Sequence, residues 1–174
     1  MKNVLSAISY LGMTRKALVN CEISKGVGIH IIGIPDPAIK EGLLRVASAM
    51  QKCGYKVPGQ RIVVRIEIDG INTAAANLPI GVYQSLDLAI AIAILSESGQ
   101  VKLPVSEEYF VGMLTVDGQL KAPFTGLKDS DDSASVIWYA IKPIRLYGWC
   151  MSDLWRHRSW KSRGGLLTVT VGLN

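Results

Sequence analysis

Residues 30–68, HIIGIPDPAIKEGLLRVASAMQKCGYKVPGQRIVVRIEI, leave the chain few folds to choose from. A short apolar run meets a turn, an amphipathic helix, a second turn and an alternating strand. Asp36 is placed as the N-cap, with Pro37 at the first helical position, where its missing N–H costs nothing. Ile39, Leu43, Val46 and Met50 follow at helical spacing, and Gly54 ends the helix. Ile62, Val64, Ile66 and Ile68 then mark one face of a strand, with Arg61, Arg65 and Glu67 on the other. The expected unit is β-turn-α-turn-β, the helix covering a sheet.

Before it, Val4–Tyr10 and Ala17–Ile23 are two β-prone runs separated by Gly12, and Lys25-Gly26 and Gly28 break the chain ahead of Ile29–Ile34. Three strands leading into the helix predict a meander, which Ile62–Ile68 extends. After it, Asp69–Gln84 reads as a long loop. Ser85 then serves as N-cap of a second helix, with Asp87 in its first turn to suit the helix dipole. LDLAIAIAIL is apolar nearly all round, so this helix is expected inside the fold, ending near Ser98-Gly99. In FVGMLTVDGQLKAP, Val111, Met113 and Thr115 alternate with Gly112, Leu114 and Val116, and Asp117-Gly118 forms a two-residue hairpin turn. The order βββ-α-β-α-ββ defines an α+β fold with helices on one side of a mixed sheet.

Composition narrows the function classes. At 174 residues and 49% apolar, the chain is long enough to bury a core and too apolar for global disorder. The net charge of +5 fits a solvated basic face. Cys21, Cys53 and Cys150 are odd in number and far apart, which indicates neither a disulfide framework nor a zinc cluster and suits a cytoplasmic location. With only His30 and His157, a histidine-rich metal site is excluded, and His30 reads as a core or edge histidine. The most apolar run, Leu88–Leu95, has eight residues against the roughly 20 needed to span a membrane. Val4–Leu11 lacks a small-x-small cleavage site and reads as a first strand.

Past Gly126 the character changes. DSDDSAS is polar and acidic, and all four tryptophans lie between Trp138 and Trp160, close to the basic, aromatic WRHRSWKSR. The expectation is an irregular tail over 127–174, partly docked by its aromatics. The alternative is a nucleic-acid or membrane-surface patch, since arginine pairs with phosphate and tryptophan stacks on bases.

Four blocks, IIGIPDPAIKEGLLRV, GYKVPGQRIVV, SLDLAIAIAILSESGQV and YFVGMLTVDGQLKAP, stand in the order and near the spacing of the N-terminal domain of magnesium-chelatase-like AAA+ proteins of the competence protein ComM type. Residues 1–126 resemble that domain, and Gly33, Pro35, Asp36, Lys40, Glu41, Asp87, Gly112 and Gly118 occupy its motif positions. The resemblance implies a ribosomal S5 domain 2-like fold, shared with the proteolytic domain of Lon. It implies a non-catalytic accessory domain for an ATPase that acts on DNA during recombination of incoming strands. Expected partners are the AAA+ module or other subunits of the same family, with DNA as a candidate and no membrane. This chain departs from the family where Gly81-Val82-Tyr83-Gln84-Ser85 replaces the Lys-Glu-Gly-Ser-Gly loop, and its match stops near Gly126. It contains no G-x-x-x-x-G-K-[ST], so no cofactor is expected in it; ATP and Mg belong to the family's ATPase module.

Lon-type peptidases activate a serine with a desolvated lysine. Ser85 aligns near that serine and Lys128 lies near the lysine stretch, although the closest counterpart of the reactive lysine is Ser130. The simpler assignment makes Ser85 a helix cap and Lys128 a surface charge. Glu41 and Arg45, at i and i+4, are expected to pair on the exposed face of the first helix, with Lys40 solvated.

Overall fold

The computed structural model describes residues 3–11, 13–72, 78–103, 109–121, 157–162 and 165–170. It is a mixed α+β fold built on a four-stranded sheet. β1 (Asn3–Tyr10) and β2 (Met13–Ser24) form an antiparallel hairpin in the register Val4↔Val19 and Ser6↔Ala17. β3 (Ile29–Ile32), α1 (Asp36–Lys52) and β4 (Arg61–Ile68) form the β-α-β unit. β4 lies antiparallel to β2 and parallel to β3, giving the order β1-β2-β4-β3. The expected meander is therefore corrected: β4 inserts between β2 and β3 rather than extending the sheet. The crossover through α1 returns the chain parallel to β3, and β4, with side chains of four alternating residues to bury, takes the central position.

β4 shows the expected alternation, with Ile62, Val64, Ile66 and Ile68 buried and Arg61, Arg65 and Glu67 exposed. α1 is rotated from its expected orientation. Ala38, Gly42, Val46, Ala49, Met50 and Cys53 are buried, Ile39 and Leu43 only half-buried, and Leu44 is 64% exposed. Small residues at Ala38, Gly42 and Ala49 let α1 approach its neighbours closely, which the larger Ile39 and Leu43 would not. Its start is also one residue earlier in role than expected. Pro35, in extended conformation, is the N-cap and its carbonyl accepts from Ile39 N–H at 3.1 Å, while Asp36 is the first helical residue. Gly54 ends the helix as expected. At φ 82 it supports a Schellman closure, with Gly54 N–H to Gln51 O and Tyr55 N–H to Met50 O.

The loop after β4 is shorter than expected. Ile80–Tyr83 forms a helical turn, α2, followed by a tight 3₁₀ turn at Gln84–Leu86 and then α3, Asp87–Glu97. Leu86, not Ser85, holds the N-cap position of α3. Residues 87–96 of α3 are all buried, and the helix packs on β1, β2 and α1. Gly99, at φ 74, closes it near the expected end. The run Ile80–Glu97 reaches 18 residues at a mean hydropathy of 1.4, longer than the eight-residue apolar stretch noted above, but 72% of it is buried inside the fold, as in a core helix.

β5 (Met113–Leu114) and β6 (Leu120–Lys121) form a short hairpin. Its turn differs from the expected two-residue type. Gly118 N–H donates to Thr115 O and Thr115 N–H to Gln119 O, so three residues, 116–118, form the loop with Gly118 at φ 88. β7 (His157–Ser162) and β8 (Gly165–Thr170) pair as an antiparallel ribbon within the segment expected to be irregular.

Candidate functional site

Of the motif positions, Asp87 and Gly112 meet at the N-terminal turn of α3, and Glu41 joins them through Arg45. Asp87, 1% exposed, begins that helix. Arg45 reaches it from α1, Nε to Oδ2 at 2.7 Å and Nη2 to Oδ1 at 3.2 Å, a fork on a carboxylate. Leu114 N–H, on β5, donates to the same Oδ2 at 3.3 Å. Gly42 faces this pair: a Cβ there would lie 3.6 Å from Asp87 Oδ1. One carboxylate thus ties together α1, α3 and the β5–β6 hairpin.

Burial pushes the Asp87 carboxyl up to about 6, against the opposing hydrogen bond and charge of Arg45 and the Leu114 N–H. Burial also works against the charge on Arg45, but the hydrogen bond and charge of Asp87, with the charge of Glu41, outweigh it and raise its pKa. Glu41 does pair with Arg45, at 3.5 Å. The expected location of that pair is corrected, however. The Arg45 side chain is 13% exposed and its main partner is Asp87, while Glu41, 55% exposed, makes the outer contact. The clue in the sequence was one acid opening a wholly apolar helix, but nothing local paired it with an arginine 42 residues away.

Ser85 is not a helix cap. It is 6% exposed, and its hydroxyl stands 2.9 Å from Val82 O and 3.3 Å from Ala7 O, so it donates back to the preceding turn or across to β1. Lys128 and Ser130, weighed with it as a catalytic lysine and its counterpart, lie outside the described residues, as does Cys150. Of the WRHRSWKSR segment, His157–Ser162 forms β7, and its other three residues lie outside the described ones.

The other motif positions have architectural surroundings. Gly33, at φ 102, has no room for a side chain: a Cβ would collide with the Ile66 carbonyl. Gly112 donates to Ser85 O and accepts from Leu88 N–H, and a Cβ there would meet Leu120 Cδ1. Gly118 places its carbonyl 3.6 Å from Cys53 Sγ. Pro35 caps α1 and Asp36 starts it, while Lys40 is exposed. Cys21 is buried in the sheet, its thiol pushed up to about 12 by burial and by the charges of Glu97 and Glu22. His30 is exposed on edge strand β3. Among the described residues, no group of three or more His, Cys, Asp or Glu is arranged to hold a metal ion.

These observations define the class: a mixed α+β domain whose junction of α1 and the buried helix α3 is pinned by an internal ion pair. The chain belongs to the family described as subunit ChlI of Mg-chelatase, whose model matches residues 19–127. It is similar to the uncharacterized protein YifB of Escherichia coli strain K12, 39% identical over 107 residues, covering 59% of this chain and 19% of that protein. It is also similar to the competence protein ComM of Haemophilus influenzae, 36% identical over 95 residues, covering 54% and 17%. The uncharacterized protein Rv2897c of Mycobacterium tuberculosis is 31% identical over 107 residues, covering 59% and 19%. The chain matches less than a fifth of the length of these relatives.

Proposed function

We propose that residues 1–126 form a non-catalytic accessory domain that works with an AAA+ ATPase module of the magnesium-chelatase-like, ComM-like family. The observation that carries this reading is the use made of the motif residues. Asp87 is buried in a pair with Arg45 and a backbone N–H, and the glycines stand at close contacts within the fold. Their chemistry is spent inside the domain, which leaves its surface to act through partners. The relatives support a larger context, because most of their length lies outside the match.

In this reading ATP and Mg are bound by the ATPase module, in the cytoplasm, and the assembly handles DNA, in line with the competence protein among the relatives. The mixed sheet with its two main helices is read as ribosomal S5 domain 2-like, the fold the resemblance implies. The test is to mix the purified chain with a separately expressed ATPase module of a ComM-type relative. Co-elution on size exclusion and a changed ATP turnover are expected, with or without DNA. Separate elution together with unchanged turnover at tens of micromolar, on the order of weak transient affinities, overturns the reading.

A further inference from the structure

We propose that Tyr109–Leu114 is a strap that opens as a unit while the four-stranded sheet and α1 stay folded, with Ser6 fastening one end and Asp87 the other. The strap meets β1 through one isolated parallel bridge, Leu5↔Tyr109, and not through a ladder. By contrast, β1–β2 and β2–β4 each pair along eight residues. Its attachments then run in sequence. Phe110 N–H donates to Leu5 O at 2.8 Å, and Ser6 Oγ donates to Phe110 O at 2.8 Å. Gly112 N–H donates to Ser85 O at 2.9 Å, and its carbonyl accepts from Leu88 N–H at 3.1 Å. Leu114 N–H ends the series on Asp87.

Each of these bonds joins the strap to β1 or to the N-terminal turn of α3 and the turn before it, and none of them reaches β2, β3 or β4. Breaking them together leaves the central ladders intact, which is the condition for a sub-global opening. The buried side chains of Phe110, Val111 and Leu114 set the cost of that opening. Its consequence is specific: opening exposes a row of hydrogen-bonding groups at the edge of β1 and the start of α3, from Leu5 O through Ser85 O to the position on Asp87 Oδ2 that Leu114 N–H occupies, while Arg45 keeps its hold on the carboxylate. The inference goes beyond an accessory role and holds whether or not an ATPase is the partner.

The test is native-state hydrogen exchange of the intact chain across a urea series. Phe110, Gly112 and Leu114 amides are expected to share one opening with a weaker urea dependence than Val64 and Ile66 in β4. Ser6→Ala removes one fastening and is expected to speed exchange of the strap set about fivefold, the fold-change of one lost hydrogen bond, while the urea dependence of that set stays below that of β4. Asp87→Ala is expected to act on the same set from the other end. A strap whose amides follow the β4 amides in urea dependence overturns the proposal, as does a strap set whose exchange Ser6→Ala leaves unchanged. Should Asp87→Ala not fold, the wild-type series and Ser6→Ala decide the matter.

Discussion

Arg45 Nε stands 2.7 Å from Asp87 Oδ2, so the first helix and the buried helix meet through a charged pair whose acid is 1% exposed. Burial costs both groups, and the pair offsets that cost only while both partners and the Leu114 N–H stay in place. Removing one member should therefore cost more than replacing both.

Asp87→Ala is expected to destabilise the chain by about 2–4 kcal/mol at neutral pH, because it orphans the buried Leu114 N–H and leaves Arg45 with Glu41 alone. Asp87→Asn, which keeps an oxygen acceptor, should cost clearly less. An Arg45→Met/Asp87→Leu double variant should be more stable than the sum of its single variants implies. Urea unfolding of these variants beside the wild type checks all three expectations, and strict additivity would contradict the coupling.

Stability should also depend on pH through Asp87. Its carboxyl is raised from 3.8 to about 6 in the fold, so the folded state holds its proton over a range where the unfolded chain has released it. Its contribution is fully present below pH 3.8 and is lost as pH rises through about 6. Between pH 7 and pH 4.5 the wild type should gain up to about 2 kcal/mol relative to Asp87→Asn, which cannot titrate there. Urea midpoints for both proteins at the two pH values measure it; parallel profiles would remove Asp87 as the source.

Two glycines should respond in opposite directions to alanine. At Gly33, positive φ and the Ile66 carbonyl leave no room, and Gly33→Ala is expected to cost at least about 2 kcal/mol. Gly81 lies in helical α2, exposed, and a Cβ there would have no heavy atom within 4 Å. Gly81→Ala should stabilise by about 0.5–1 kcal/mol through the lower entropy of the unfolded chain. Thermal melts of the two variants decide both expectations.

Cys21 should resist thiol reagents until the sheet opens. With its pKa moved from 9.0 to about 12, its thiolate fraction at pH 8 falls about a thousandfold below that of an ordinary thiol, and burial blocks the approach as well. Labelling followed by peptide mass analysis should find Cys21 unmodified in native protein and modified in urea. Rapid native labelling would contradict its placement in the sheet.

Local rules carried the elements whose determinants lie within a few residues. The alternation of Ile62, Val64, Ile66 and Ile68 named the inner face of β4, the apolar run 88–95 named the buried helix, and Gly54 marked the end of α1. Each of these follows from a period or a cap that a short peptide already contains. The helix starts were less legible: Pro35 and Leu86, not Asp36 and Ser85, hold the N-cap positions. A capping side chain is only a local preference, and at Ser85 the hydroxyl found carbonyl partners on the preceding turn and on β1 instead.

What the sequence by itself determined is therefore the set of elements, the α+β class and the family blocks, because periodicity, turn residues and block order are properties of the chain alone. Tertiary structure decided where β4 enters the sheet, which face α1 buries and what Arg45 and Asp87 do. Those outcomes depend on contacts between residues tens of positions apart, as between Arg45 and Asp87, 42 residues from each other. Burial then turned an exposed-looking arginine and a helix-start aspartate into one internal pair, because a charge removed from water must find its partner wherever the fold brings one.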